Sequence, residues 1–346
     1  MSIYNNKKKK FINRTASTPS QPQSCDSNDP AKSLVPPLDK PALDILEGAV
    51  DQFKAEAPDG DFSKIVHSPK VMAQLDAALD RIRHRKKLFD EWGLKAVDPR
   101  GSSSVINFFG PPGTGKSMTA DAIAHELGLS IIKVSYAKLE SKYVGDTPKN
   151  IERAFEAAKQ QNAVIFFDEA DSILGKRLSS VTQGADHSVN VSRSVMLLAM
   201  DKFEGVVVFA TNLAQNYDSA FVRRIHNHIK FELPDLAARE QIFKKMLVPQ
   251  LPLGPEVTAK SLATLSEGLS GGDLRTTVIN AAAKAVSRTG LDQLVKKVDF
   301  EQAIQETLKA KQEISKSTTM AQVSEEEVPV TELSEDVQAK YEQAVS

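Results

Sequence analysis

The feature that most constrains the fold is the segment Gly110-Pro-Pro-Gly-Thr-Gly-Lys-Ser117, which fits the pattern G-x-x-x-x-G-K-[ST]. It lies between a β-like apolar run at residues 105–109 and a helical apolar period at residues 118–127. Glycines let backbone N–H groups surround a phosphate, and the N-terminus of the following helix attracts anions. The sequence predicts a loop for the phosphates of ATP, made of Gly110, Pro111, Pro112, Gly113, Thr114, Gly115, Lys116, Ser117 and Met118.

Four side chains in two motifs are predicted to carry the phosphate chemistry. Lys116 is expected to bridge the β- and γ-phosphates, and the hydroxyl of Ser117 to hold Mg²⁺. About fifty residues later, the apolar strand at 164–167 ends in Asp168 and Glu169. Asp168 is expected to accept a hydrogen bond from a water of the Mg²⁺ shell, and Glu169 to polarise the attacking water. ATP and Mg²⁺ are therefore the expected cofactors.

The rest of the chain alternates between β-like runs and helical periods before it becomes purely helical. Because the runs are almost continuously apolar, we expect a parallel sheet with helices on both faces, followed by a small all-α region. The further β-like runs are 130–135, 163–167, 205–210 and 228–233. The helical periods are 71–88, 147–160, 188–200, 236–247, 259–267, 272–287 and 300–311.

Composition divides the chain into two tails and two folded parts. Residues 1–60 are polar and basic, with four lysines at Lys7–Lys10, and are expected to be mostly disordered apart from a short helix at 43–53. We predict an α/β domain at 61–235, a helical lid at 236–311 and an acidic tail at 312–346. The acidic tail has eight acids against two lysines, with a possible helix at 334–344.

Charge and cysteine content limit the classes of partner and the compartment that fit this chain. The formal net charge is −1, so no field of the whole chain favours DNA or an anionic membrane, and any such contact must be local, for example through the basic tail. The single cysteine, Cys25, fits a reducing compartment, and no apolar run is as long as a membrane helix requires. We therefore predict a cytoplasmic protein without a transmembrane segment.

These motifs resemble the AAA ATPases over roughly residues 61–311, and most of all the subgroup of katanin, spastin and fidgetin. The stretch 165–177, Ile-Phe-Phe-Asp-Glu-Ala-Asp-Ser-Ile-Leu-Gly-Lys-Arg, is similar to the second nucleotide motif of that family and its continuation. Phe209-Ala-Thr-Asn212 stands at the position of sensor 1, which implies that Asn212 orients the water or contacts the γ-phosphate. The resemblance also implies a homo-oligomeric ring, a hexamer.

Further site residues are implied by the resemblance, some with departures from the family. Arg223 and Arg224 correspond to the arginine finger, which reaches the nucleotide of a neighbouring subunit, although the following segment 225–228 differs from the family. Two other segments are similar to the start of the sensor 2 helix and to the wall of the adenine pocket. The first contributes Gly272 and Arg275, where phosphate contact and a surface position are both open for Arg275, and the second contributes Val66 and His67, where His67 replaces the usual Gly.

The loop Lys142-Tyr143-Val144 resembles the first pore loop of the family, in which an aromatic ring grips a threaded polypeptide. A flat amphipathic ring suits this task because it packs on many side chains without sequence preference. A second pore loop is expected within 178–188. Taken alone, a Tyr in a loop is more often an ordinary packed or half-exposed residue.

The leading functional prediction is an ATP-driven protein remodeller that pulls a polypeptide through a central pore, with adaptors recruited through the tails. The alternative is a nucleic-acid motor or a clamp or initiator loader, suggested by Arg275 and the basic tail; near-zero net charge and the aromatic loop speak against nucleic acid as a partner. A third interpretation is a nucleotide-gated scaffold without turnover, against which the Asp168–Glu169 pair and Arg223 argue.

Overall fold

The computed structural model describes residues 52–98, 103–139, 146–175, 184–212, 217–288 and 293–323. The tail at 1–40, almost all of the predicted helix at 43–53 and the predicted helix at 334–344 lie outside these residues. The predicted acidic tail is described only as far as Val323.

The centre of the fold is a parallel sheet of five strands in the order β2-β3-β4-β1-β5. The strands are β1 (Ser104–Phe109), β2 (Ser130–Ser135), β3 (Ala163–Asp168), β4 (Val206–Thr211) and β5 (Asn227–Lys230). Because β1 lies between β4 and β5, its carboxyl end meets the carboxyl ends of both neighbours at one edge of the sheet.

Seven of the described helices precede β5, and the last four follow it with a core of their own. With the sheet are α1 (Pro69–Arg83), α2 (Lys116–Glu126), α3 (Tyr136–Leu139), α4 (Asp146–Gln160), α5 (Asp171–Leu174), α6 (Gly184–Lys202) and α7 (Ser219–Val222). After it come α8 (Leu236–Met246), α9 (Ala259–Leu265), α10 (Gly271–Val286) and α11 (Lys297–Val323). Single turns occur at Phe62–Lys64, Lys87–Glu91 and Leu94–Ala96.

Alternate residues of the strands pack on opposite faces of the sheet, as the period of two requires. One core joins the strands to α4 and α6, and its members include Ile165, Phe167, Val207, Phe209, Phe155 and Met196. The other core joins them to α1 and α2, and its members include Ile106, Phe108, Phe166, Val208, Leu75 and Ile123. A third core, around Phe243 and Phe300, holds the last four helices together. The predicted fold class, a parallel sheet covered on both faces and followed by helices, is confirmed.

Capping side chains define where the later helices begin. Asp235 accepts a hydrogen bond from the backbone N–H of Ala238 at the start of α8. Ser270 and Asp273 form a capping box at the start of α10, in which each side chain accepts from the backbone N–H of the other residue. The start of α10 is therefore rigidly set, and this matters because it lies against the phosphate loop.

Two helices end well away from their predicted ends, and the other helices differ from their predicted bounds by a few residues at most. The period at 71–88 forms α1 only as far as Arg83, and Leu88 belongs to the separate turn Lys87–Glu91. Like charges spaced four apart, as at Arg81 and Arg85, disfavour continuation of a helix. The period at 300–311 instead extends to Val323, because residues 312–323 contain neither Gly nor Pro to stop it.

The strand predicted at 228–233 is observed at Asn227–Lys230. Its partner β1 ends at Phe109, because the chain turns away at Gly110. The last hydrogen bond between the two segments runs from the N–H of Phe231 to the carbonyl of Phe109, at 2.8 Å, and β5 has no strand to pair with beyond it.

Packing on the sheet begins before residue 61, the predicted start of the domain. Phe53 is 2% exposed within the core on the α4 side, and Glu56 pairs with Ile131 of β2 as an antiparallel bridge. Gln161 fixes the same segment through hydrogen bonds with the backbone of Phe53 and Ala55, both at 2.8 Å. The sequence did not predict this short ordered stretch, because residues 1–60 are mostly polar.

Candidate functional site

The phosphate-loop motif lies at the carboxyl end of β1 and leads directly into α2. Gly110 has φ +141° and Gly113 has φ +74°, backbone conformations that L side chains rarely adopt. A Cβ at Gly110 would stand 2.0 Å from the carbonyl oxygen of Phe231, and one at Gly113 would stand 2.5 Å from Oγ of Ser270. The loop thus requires glycine at both positions, for its conformation and for its close contact with later parts of the chain.

Lys116 is held at the centre of this loop. Its Nζ donates to the carbonyls of Gly110 and Pro111, at 2.8 and 2.9 Å, and to Oδ1 of Asn212 at 2.9 Å. Burial lowers the pKa of Lys116, and the charges of Asp168 and Asp171 oppose that effect. The structure therefore brings together Lys116 and Asn212, which are far apart in the sequence.

Ser117 and the acidic pair meet beside Lys116. The hydroxyl of Ser117 donates to Oδ2 of Asp168 at 3.2 Å, and the backbone N–H of Glu169 donates to Oδ1 of Asp168 at 3.0 Å. Glu169 has φ +53°, an uncommon conformation for a residue other than Gly, and its side chain is exposed. Asp168 is thus fixed toward the loop, while the carboxylate of Glu169 is open to solvent.

Several polar residues near this group were not foreseen from the sequence. Thr211, directly before Asn212, donates to Asp171. Asn107, fully buried in β1, lies 3.3 Å from the hydroxyl of Tyr217 through Nδ2, and 3.4 Å from Nδ1 of His228. The one signal for this network was a polar Asn inside an otherwise apolar run.

The two arginines predicted as the finger differ sharply in their surroundings. Arg223 is exposed, and within the described chain its guanidinium makes no hydrogen bond or ion pair. Arg224 donates from Nε and Nη2 to the two carboxylate oxygens of Asp201, each at 2.9 Å, and from Nη1 to the carbonyl of Ala220 at 3.1 Å. No sequence motif indicated Asp201, which lies on α6.

The start of α10 contacts the phosphate loop directly. The backbone N–H of Gly272 donates to the carbonyl of Gly113 at 2.9 Å, and a Cβ at Gly272 would stand 3.2 Å from the Cα of Gly113. Arg275 is exposed and has no hydrogen bond or ion pair within the part of the chain that the structure describes. The structure thus places Gly272, but not the guanidinium of Arg275, at the loop.

A cavity of about 130 Å³ lies beside the phosphate loop, and Thr114 of the loop is in its wall. Val66 and His67, both predicted to line a base pocket, line this cavity, whereas Met118 is 51% exposed and is not among the lining residues. The other lining residues are Ser68, Val71, Phe231, Glu232, Leu233, Pro234, Asp235, Ala238, Ile242 and Gly271.

The predicted pore-loop residues Lys142, Tyr143 and Val144 lie outside the described residues, between α3 and α4. Most of the second predicted pore loop, at 178–188, also lies outside them, before and at the start of α6. Among the described helices, none combines the length and apolarity needed to span a bilayer.

Residues 106–233 match the model of the family described as "ATPase family associated with various cellular activities (AAA)". The chain is 30% identical over 267 residues to the proteasome-activating nucleotidase of Methanopyrus kandleri, an alignment that covers 75% of this chain and 59% of that protein. It is 28% identical over 280 residues to the 26S proteasome regulatory subunit 4 homolog of Schizosaccharomyces pombe, covering 78% of this chain and 60% of that protein. The chain therefore spans less than two thirds of the length of these relatives.

Proposed function

We propose that residues 106–233, which match the AAA family, form an ATPase domain that binds ATP with Mg²⁺ and hydrolyses the bond between its β- and γ-phosphates. The observation that carries this proposal is the position of Lys116, whose three hydrogen bonds hold it between two carbonyls of the phosphate loop and Asn212. An ammonium held at this point lies beside the space that the phosphates of a nucleotide in this loop would occupy.

The residues present fit both ATP and Mg²⁺. The positive φ of Gly110 and Gly113 opens the loop for backbone contacts with phosphate, and α2 begins at Lys116 with its N-terminus toward the loop. The hydroxyl of Ser117 and the carboxylate of Asp168 offer the hard oxygen ligands that Mg²⁺ prefers. Ser117 and Asp168 would hold Mg²⁺, which, when bound, supplies positive charge against the phosphate oxygens.

The remaining residues of the site carry the proton and positioning roles. Glu169 is the proposed base, because its exposed carboxylate adjoins Asp168 and makes no hydrogen bond with a described residue. Asn212 positions Lys116 through their 2.9 Å hydrogen bond and orients the water or contacts the γ-phosphate. Gly272 ties the lid to the loop that holds the phosphates.

Completion of the site requires a second copy of the chain. Arg223 is exposed, with a free guanidinium among the described residues, as a group that acts on a neighbouring subunit must be. A planar guanidinium suits the charge that spreads over a transferring phosphoryl group. We infer a homo-oligomeric ring, a hexamer, with Arg223 as the finger and Arg224 as the residue that positions it through Asp201.

The work done by hydrolysis is proposed to be the pulling of a polypeptide, gripped by Tyr143. The named relatives are a proteasome-activating nucleotidase and a proteasome regulatory subunit, which supports a protein rather than a nucleic acid as the substrate. Membership of the katanin, spastin and fidgetin subgroup stays a prediction that rests on segment 165–177, and so do the cytoplasmic location and recruitment through the tails.

Two variants of the full chain test the ATPase proposal. Glu169→Gln should retain binding of ATP and Mg²⁺ but stop hydrolysis, because it removes the charge that polarises the water and keeps the size of the side chain. Lys116→Ala should instead weaken nucleotide binding. Phosphate release and nucleotide binding are measured for both, with unfolded polypeptide or DNA added to the parent. Nearly normal turnover of Glu169→Gln refutes its role, and stimulation by DNA alone favours the nucleic-acid motor.

A further inference from the structure

His67 is a side chain of the cavity beside the phosphate loop whose chemistry the proposed function leaves unused. Its Cε1 edge faces the loop, since a Cβ at Gly115 would stand 3.8 Å from that atom. The ring meets Phe231 edge-on, with centroids 5.1 Å apart. Because Thr114 also lines this cavity, a nucleotide with its phosphates in the loop would place its base within reach of His67.

The hydrogen bonds around His67 determine which of its nitrogens carries the proton. Nε2 lies 2.8 Å from Oγ1 of Thr119, and that hydroxyl donates its own proton to the carbonyl of Gly115 at 2.8 Å. With its proton directed to that carbonyl, Oγ1 accepts from the ring, and the tautomer that completes both bonds carries its hydrogen on Nε2. Thr119 is fully buried, which leaves no water to relieve this arrangement.

The other nitrogen, Nδ1, is then free to accept a hydrogen bond. Burial lowers the pKa of His67 to about 4, so the ring is neutral near pH 7 and Nδ1 has an unprotonated lone pair. No described residue bonds to Nδ1. Nδ1 of His67 is not among the buried atoms that lack a partner. Nε2 of His228, in contrast, is buried and has no partner among the described residues.

We propose that Nδ1 of His67 accepts a hydrogen bond from the exocyclic amine of adenine, and so selects adenine over guanine nucleotides. This inference rests on the proposed function, because it assumes a nucleotide in the phosphate loop. Guanine has a carbonyl oxygen where adenine has its amine, and two lone pairs would face each other. A hydrogen bond to the carbonyl oxygen of guanine would need a hydrogen on Nδ1. Nε2 would then have to accept from the hydroxyl of Thr119, which would no longer donate to the carbonyl of Gly115.

The test compares nucleoside diphosphates, whose binding is measured by calorimetry without turnover. The ligands are ADP, GDP and the diphosphate of purine riboside, which lacks the amine. The parent should bind ADP about tenfold more tightly than the purine riboside diphosphate, the value of roughly one net hydrogen bond, about 1.4 kcal/mol. In His67→Phe, which keeps a flat ring but has no acceptor, ADP and the purine riboside diphosphate should bind equally.

Two further variants separate the role of the tautomer from general damage. Thr119→Val removes the bond that fixes the tautomer, so the preference for ADP over GDP should fall while binding of both persists. His125→Phe, at an exposed histidine of the same helix, should keep the preference of the parent. Imidazole ¹⁵N spectra of the parent should show His67 protonated at Nε2, independently of any nucleotide.

The outcomes distinguish this inference from the proposed function. A parent that binds no nucleoside diphosphate refutes the ATP site itself. A parent that binds ADP and the purine riboside diphosphate equally refutes only the role of His67, even if no variant folds. A His67→Phe variant that keeps the full preference assigns the amine to another acceptor and also overturns the inference.

Discussion

Arg223 and Arg224 are adjacent, but only the guanidinium of Arg224 is bound to another described side chain. Replacing them one at a time therefore tests two different roles. Arg223 is exposed, and its guanidinium bonds to no described residue. Arg224 is 22% exposed and Asp201 24% exposed, and two hydrogen bonds of 2.9 Å join them. The two substitutions should therefore differ in stability and in turnover, and in opposite directions.

The surroundings of each arginine set the size of the effect of its replacement. Arg223→Ala removes no side-chain hydrogen bond or ion pair within the described chain, so the free energy of unfolding should change by no more than about 0.5 kcal/mol. Its turnover should fall by roughly 10³-fold or more, the usual value of an arginine finger. Arg224→Ala leaves the carboxylate of Asp201 half-buried without its partner. Hydrogen bonds to charged groups contribute about 1.5–3 kcal/mol, and partial exposure reduces this, so we expect a loss of about 2 kcal/mol.

The assays are urea unfolding and phosphate release for each variant, with Asp201→Ala as the matched control for Arg224→Ala. A double-mutant cycle between Asp201 and Arg224 should give a coupling of about 1 kcal/mol, whereas Asp201 and Arg223 should give none. Mixing Arg223→Ala subunits with Glu169→Gln subunits should restore activity, because some interfaces then combine an intact Arg223 with an intact Glu169.

The assignment is refuted if Arg224→Ala abolishes turnover at parental stability while Arg223→Ala turns over within tenfold of the parent. That pattern would make Arg224 the residue that acts on the nucleotide. Absence of recovery in mixtures whose co-assembly has been verified would place Arg223 outside the shared site.

Two further predictions concern the pore loop and the response to pH. Tyr143→Ala should leave basal hydrolysis nearly intact but abolish remodelling of a polypeptide, and Tyr143→Trp should retain it, because the aromatic face is what grips; a Tyr143→Ala variant that remodels as well as the parent contradicts this. His226 accepts from the N–H of Val105 through Nδ1 at 3.2 Å, and burial, aided by Arg81 and opposed by Asp98, lowers its pKa from 6.5 to about 4. The unfolded chain binds this proton first, so stability should fall as pH drops from about 6.5 to about 4, by at most about 3 kcal/mol and, with partial exposure, by about half of that. His226→Gln should show a shallower loss in thermal melts at pH 7 and pH 5, and equal slopes would contradict the assignment.

The sequence predicted the sheet well because its strands are buried on both faces and leave nearly continuous apolar runs. The strand Ser130–Ser135 is observed at its predicted bounds, and Ala163–Asp168 differs by one residue. The end of β5 could not be predicted from its apolar run, because it depends on where β1 turns away at Gly110. Phe53 was missed since a single apolar residue in a polar segment gives no period to detect.

The site was predictable wherever its residues are close in sequence, and not where they come together across the fold. Glycine and lysine spacing indicated the loop, and the acids at the end of β3 predict a Mg²⁺ contact at Asp168 and a base at Glu169. The pairing of Arg224 with Asp201 joins positions on separate elements, and nothing in the arginine segment distinguishes its two arginines. Only the folded chain shows that one of them is already engaged.

The shape of the phosphate loop is set by three contacts with later segments of the chain. Gly110 packs against the carbonyl of Phe231 after β5, and Lys116 bonds to Asn212 after β4. Gly113 accepts from the N–H of Gly272 at the start of α10. A peptide with the whole motif would have none of these contacts and would lose the conformational freedom of its glycines on binding. Movement of the start of α10 away from the loop must break the bond between Gly113 and Gly272. We therefore expect the affinity of the loop for phosphate, if it binds ATP as proposed, to depend on the position of the helical region as well as on the motif.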